Sequence, residues 1–229
     1  MDPLRVVFLV YPNVTQLDLT GPAQVLSRLG SSTVDLVWKT RDPVPTDSGF
    51  ALLPTSTLEE TTSADILCVP GGFGCVDIMD DDEVLEWLRR VGSDAGWVTS
   101  VCTGSLILGA AGLLKGYRAT SHWAWRDYLT LFGAEPVAER VVFDRNRVTG
   151  GGVTAGIDFG LALMARIRGE EFAKMVQLGL EYDPHPPFDS GSPETAAEDL
   201  IKAVRERSNR MAPGREERIR AAAERMAAR

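Results

Sequence analysis

The chain has 229 residues with 24 Lys and Arg against 32 Asp and Glu, a formal net charge of −8, which argues against a nucleic-acid binder. Hydrophobic residues make up 44% and charged residues 24%, the proportions of an ordinary globular protein with one domain, a sizeable core and room for a short appendage. No apolar run approaches the ~18 residues of a membrane span, and the N-terminus lacks a basic-then-apolar secretion signal, so a cytoplasmic protein with no membrane partner is expected.

Leu4 to Val10 is apolar and β-branched, a first strand that Tyr11-Pro12 ends. A loop carrying Gln16-Leu17-Asp18-Leu19-Thr20-Gly21-Pro22 follows, then a helical stretch from Ala23 to Leu29 with Thr20 as its N-cap. Val34 to Lys39 reads as a second strand, and the turn-rich piece from Pro43 to Leu53 as a hairpin. Asp65 to Val69 is a buried strand that runs into Pro70-Gly71-Gly72-Phe73-Gly74. Asp80, Asp81 and Asp82 lead a helix through Val91, their charges at its amino end.

The apolar run Trp97 to Val101 then stops at Cys102, and small residues from Thr103 open another helical pattern. A strand–turn–helix joint of this kind pushes its side chain out at the sheet edge, as in a nucleophile elbow. The helix start favours thiolate over thiol, although a free cysteine is equally often an inert buried one. Further on, Arg118 to Thr120 is a short strand and Trp123 to Phe132 a helix, while Asp144-Arg145-Asn146 marks a hairpin. Gly150-Gly151-Gly152 precedes a helix from Thr154 to Ile167, and another runs from Glu170 to Tyr182. Residues 1–195 are expected to form an α/β domain and residues 196–229 a helical extension packed on it. From residue 200 onward nine Lys and Arg face four Asp and Glu, so that extension is locally basic.

Alternating strands and helices imply a parallel sheet whose site lies at the carboxyl ends of the strands. Three segments fall at such ends: those carrying Asp18, Gly71-Gly72 and Cys102. The Gly72 and Thr103 N–H groups are candidates for an anion-stabilising pair beside the sulfur. Asp18, between Leu17 and Leu19, is poorly solvated, which favours a protonated carboxyl; its plainer role is a loop hydrogen-bond acceptor. His122 is read as either near the site or packed beside Trp123. Thr103, next to the thiol, cannot serve as the base a cysteine hydrolase needs. A carboxylic acid beside a thiolate suits addition to a substrate that needs a proton. Cys68, Cys75 and Cys102 show no Cys-x-x-Cys spacing and there are only two histidines, so no metal centre is expected.

The blocks Leu17-Asp18-Leu19-Thr20-Gly21-Pro22, Pro70-Gly71-Gly72, Thr99 to Ser105, Ala119 to Trp123 and Thr149 to Phe159 resemble the ThiJ/PfpI superfamily. Within it they are most similar to the isocyanide-hydrating branch, and the similarity continues through Glu181-Tyr182 and Pro187 to Pro193. The resemblance implies a flavodoxin-like three-layer sandwich with a mostly parallel central sheet, a homodimer, and no cofactor. It also implies hydration of an isocyanide to an N-substituted formamide. Cys102 would be the nucleophile, Asp18 the acid and base, and Thr103 a support through hydroxyl and amide. Gly71 and Gly72 would line the substrate, and the Gly151 to Val153 turn would lie against the sulfur. The alternative is a ligand- or redox-sensing module without turnover. A regulator of that kind should carry helix-turn-helix units after the domain, and about 30 residues are too few for them.

Overall fold

A computed structural model describes residues 3–229. The elements in chain order are β1 (Leu4–Leu9), α1 (Gln16–Leu26), β2 (Ser32–Trp38), β3 (Val44–Pro45), β4 (Ala51–Leu52), β5 (Ser56–Thr57) and β6 (Ile66–Val69). Then come α2 (Cys75–Ile78), α3 (Asp82–Asp94), β7 (Trp97–Val101), α4 (Gly104–Ala110), β8 (Arg118–Ala119) and a 3-10 helix (Arg126–Phe132). Last are β9 (Glu135–Pro136), β10 (Val141–Asp144), β11 (Arg147–Gly150), α5 (Ala155–Arg168), α6 (Glu170–Gly179), α7 (Glu198–Met211) and α8 (Arg215–Ala227).

Seven strands form one sheet in the order β10-β11-β7-β6-β1-β2-β5, parallel throughout except for β10 against β11. β1 and β6 are apolar on both faces because helices cover both, which is why their sequences read as continuous hydrophobic runs. α1, α5 and α6 pack together as one helical group; α2, α3, α4 and α8 form the other. This is a flavodoxin-like α/β sandwich. The chain leaves β1 toward β2 on one side and returns to β6 on the other, so the loops after β1 and β6 diverge and leave a crevice at the carboxyl edge.

Two elements differ from the sequence expectation. Asp18 lies in the first turn of α1, which starts at Gln16 with Thr15 in the cap position, so the helix does not begin at Ala23 and Thr20 is not its cap. Pro22 therefore sits inside the helix, where its missing N–H would normally end one. Close packing on α5 compensates: a Cβ on Gly156 would approach Pro22 Cδ to 2.9 Å, so only glycine permits this crossing. The expected helix from Trp123 to Phe132 is a 3-10 helix over Arg126–Phe132, wedged against α4 and α8 with the Phe132 ring in the groove above Gly109.

The basic end of the chain meets the acidic run. From α8, Arg218 pairs with Asp77 at 2.8 Å and Asp80 at 2.6 Å and Arg225 with Asp80, and beyond the helix Arg229 pairs with Asp82. No helix among the described residues is long and apolar enough to cross a membrane.

Candidate active site

The carboxyl ends of β1, β6, β7 and β11 bring Asp18, Gly71, Cys102 and Gly151 together. Cys102 joins β7 to α4 with φ of 55°, a left-handed conformation that a non-glycine residue holds only when its neighbours enforce it. The restraints are visible. Its N–H donates to the carbonyls of Gly151 at 2.7 Å and Gly150 at 3.1 Å, and its carbonyl accepts from the Ser121 hydroxyl at 2.9 Å and the Ser105 hydroxyl at 3.1 Å. The thiol is then aimed at the Thr103 N–H and the Asp18 carboxyl.

Asp18 is fully buried. Its Oδ2 accepts the Gly71 N–H at 2.8 Å, and among the described residues its Oδ1 has no conventional partner. Burial pushes this carboxyl up to about 8, against the smaller opposing pull of the Gly71 N–H and the thiol. Burial also pushes the Cys102 thiol well up, and the Asp18 charge adds to it, which outweighs the helix start expected to favour thiolate. The two titrations are linked, because the charge of the one disfavours the charge of the other.

Gly71 is the closest point of approach. A Cβ there would lie 2.6 Å from the Thr103 nitrogen and 2.7 Å from Asp18 Oδ2, so the acid touches the turn only because no side chain intervenes. The expected pairing of the Gly72 and Thr103 N–H groups is not assembled. The Gly72 N–H donates to Thr103 Oγ1 at 3.0 Å, and that hydroxyl donates back to the Gly72 carbonyl at 3.1 Å. A side-chain hydroxyl competes for the same N–H, and only the Thr103 N–H is left facing the sulfur. In the Gly151 to Val153 turn, Gly151 binds the Cys102 backbone through its carbonyl and Val153 faces the cavity.

In front of the thiol opens a cavity of about 280 Å³. Phe73, Trp125, Val153 and Val204 make it largely apolar; Thr15, Asp47, His122 and Arg207 add polar groups. Asp18 sits behind Cys102 and is not part of the wall. The α7 side chains Val204, Arg207 and Ser208 were not legible as site residues, since their stretch reads as an ordinary charged helix. His122 does reach the cavity, its ring 5.5 Å from that of Trp123. Cys68 is buried against Thr99 and Cys75 beside Thr103, neither on the cavity wall, with thiols that burial pushes up to about 12. Among the described residues no cluster of His, Cys, Asp and Glu has the makings of a metal site.

Comparison with known proteins gives a consistent picture. Residues 4–166 match the DJ-1/PfpI family. The chain is 52% identical over 205 residues to the isonitrile hydratase of Pseudomonas putida, covering 90% of each chain. A helix-turn-helix transcriptional regulator of Pseudomonas aeruginosa is 32% identical over 136 residues, covering 58% of this chain and 40% of the regulator. The crystal structure of a ThiJ/PfpI family protein from Pseudomonas syringae superposes with a TM-score of 0.91 at 44% identity, over 97% of this chain and 91% of that one.

Proposed function

The chain belongs to the DJ-1/PfpI family, and from that premise we propose that it hydrates isocyanides, R–N≡C, to N-substituted formamides. The observation that carries the reading is a thiol on the wall of a mostly apolar cavity with a buried, proton-holding carboxyl beside it. An isocyanide carbon is a poor target for sulfur until a proton reaches it. The Cys102 thiolate adds to that carbon while the protonated Asp18 carboxyl delivers its proton there, giving the thioimidate R–N=CH–S on Cys102 and a carboxylate on Asp18. Water then adds to the same carbon, giving a proton to the Asp18 carboxylate, which returns it to nitrogen. Collapse breaks the C–S bond, the electron pair leaves with sulfur as the Cys102 thiolate, the hydroxyl proton passes to Asp18, and formamide departs with thiolate and acid restored.

Phe73, Trp125, Val153 and Val204 suit an uncharged alkyl or aryl R group. Thr103 positions the thiol through its N–H and ties the Gly72 turn to α4 through its hydroxyl. The protein acts as a homodimer in the cytoplasm. Exposed Met175 and Leu178 on α6 and exposed Phe188 supply apolar surface for a second copy, and three free thiols suit a reducing compartment. The sensor alternative is not favoured, because the hydratase relative matches over 90% of both chains while the regulator shares only a part. Incubation with cyclohexyl isocyanide, followed by mass spectrometry for N-cyclohexylformamide, tests the reading; no formamide above the protein-free control rejects it.

A further inference from the structure

His122 stands between the catalytic cavity and a second groove lined by Arg126, Arg140 and Gly152, and contributes to the wall of both. It is held close to the nucleophile. The preceding Ser121 donates its hydroxyl to the Cys102 carbonyl at 2.9 Å, and a Cβ on Gly152 would lie 3.6 Å from His122 Cδ2. The ring's Nδ1 accepts the N–H of Ala124 at 3.2 Å, so a neutral imidazole there carries its proton on Nε2. Burial and the guanidinium of Arg215, stacked 4.4 Å from the Trp125 ring, both push His122 below its ordinary value. A neutral ring of one tautomer is thus built into the wall.

The chemistry of the second half-reaction needs such a group. As water adds to the thioimidate, the electron pair of the C=N bond moves to nitrogen, and charge builds there before a proton arrives. The Thr15 hydroxyl is committed to Asp47 at 2.6 Å and that of Thr103 to Gly72, while Arg207 and Ser208 reach the wall from α7, a different element from the segment that ties His122 to Cys102 through Ser121. We infer that His122 is a further catalytic residue of the hydration, its Nε2–H donating a hydrogen bond to the substrate nitrogen while water adds to the Cys102 thioimidate. The assignment rests on the hydratase reading. The proton count is unchanged: water's proton goes to Asp18 and from there to nitrogen, and His122 keeps its own. A neutral imidazole acting as electrophile in this way stabilises a developing anion without becoming charged.

The test separates the two half-reactions. Rapid quenching during turnover of cyclohexyl isocyanide, with mass spectrometry of the intact protein, follows formation and decay of the adduct on Cys102. In His122→Phe, adduct formation should stay within about threefold of wild type while decay slows about ten- to a hundredfold, so that adduct accumulates. His122→Gln, which keeps a side-chain N–H, should recover part of the decay rate. Unchanged decay in His122→Phe, equal slowing of both steps, or accumulation in Ser208→Ala but not in His122→Phe overturns the assignment. Nitrogen-15 NMR of histidine-labelled wild-type protein gives a check that needs no active-site variant. The chain has two histidines, and His185→Gln assigns the signals. An Nε2–H tautomer at pH 7.5 is expected, and an Nδ1–H tautomer or a charged ring overturns the proposal. A wild-type protein that makes no formamide rejects the hydratase reading and this assignment with it; wild-type turnover with unaltered decay in His122→Phe rejects the assignment alone.

Discussion

Burial pushes the Asp18 carboxyl up to about 8, with the Gly71 N–H in place of a hydration shell. An ordinary aspartate ionises near pH 4, so between about pH 4 and about pH 8 the unfolded chain has released a proton that the folded chain retains. Stability contributed by the neutral carboxyl is complete below that window and is lost as pH rises through it. Asp18→Asn removes the titration while keeping an acceptor for the Gly71 N–H. Its Tm should gain on wild type from pH 4 to pH 8 and then hold a constant margin; calorimetric curves that stay parallel across this range would contradict the burial argument. The same variant should lose at least about 10²-fold in hydration rate, measured as formamide released. Cys102→Ala should release none. Cys68→Ala should retain turnover, because the Cys68 thiol is buried against the Thr99 hydroxyl at 3.1 Å, away from the cavity. Formamide from Cys102→Ala at the wild-type rate would exclude a covalent route.

At the scale of elements, the turn after β6 and the start of α4 are fitted to each other at Gly71. Gly71→Ala places a methyl group against the Thr103 nitrogen and the Asp18 carboxyl, so one of them must move. Hydration should fall at least about tenfold in this variant, since small displacements of a catalytic group are costly; full activity would mean that the turn does not set the geometry. α8 carries a different task. Arg218 bridges Asp77 and Asp80 at a partly exposed surface, and Arg215 on the same helix stacks on the cavity residue Trp125. Surface pairs of this kind contribute about 0–1 kcal/mol and are screened by salt. Arg218→Ala should therefore lower Tm by about 2–4 °C at low ionic strength and by much less in 1 M NaCl. A Tm difference that ignores salt would assign the effect to packing.

For the whole molecule, Arg218, Arg225 and Arg229 are spent on the acidic run Asp77 to Asp82 of the same chain, while Met175 and Leu178 on α6 and Phe188 remain among the exposed apolar side chains. Sedimentation at micromolar concentration should give about twice the 24.9 kDa chain mass. A species at the chain mass would remove the homodimer from the proposal without touching the chemistry of Cys102 and Asp18.

The amino-acid sequence alone determined what local periodicity and turn chemistry control. The apolar runs of β1, β6 and β7, the stop at Cys102, the acidic run Asp80 to Asp82 at the start of α3 and the hairpin at Asp144-Arg145-Asn146 are short-range features, each legible within a window of a few residues. Their alternation implied the parallel sheet, and the sheet implied that Asp18, Gly71-Gly72 and Cys102 share an edge. The tertiary structure decided what depends on partners far along the chain. Asp18 accepts from Gly71, 53 residues away, and sits on a helix because α5 packs over Pro22. The Gly72 N–H is spent on Thr103, 31 residues away, and α7 reaches back to wall the cavity. A hydrogen bond has few geometric solutions and a buried group must find one, but which partner is nearest is a property of the packed chain and leaves no mark on either residue's neighbours in sequence.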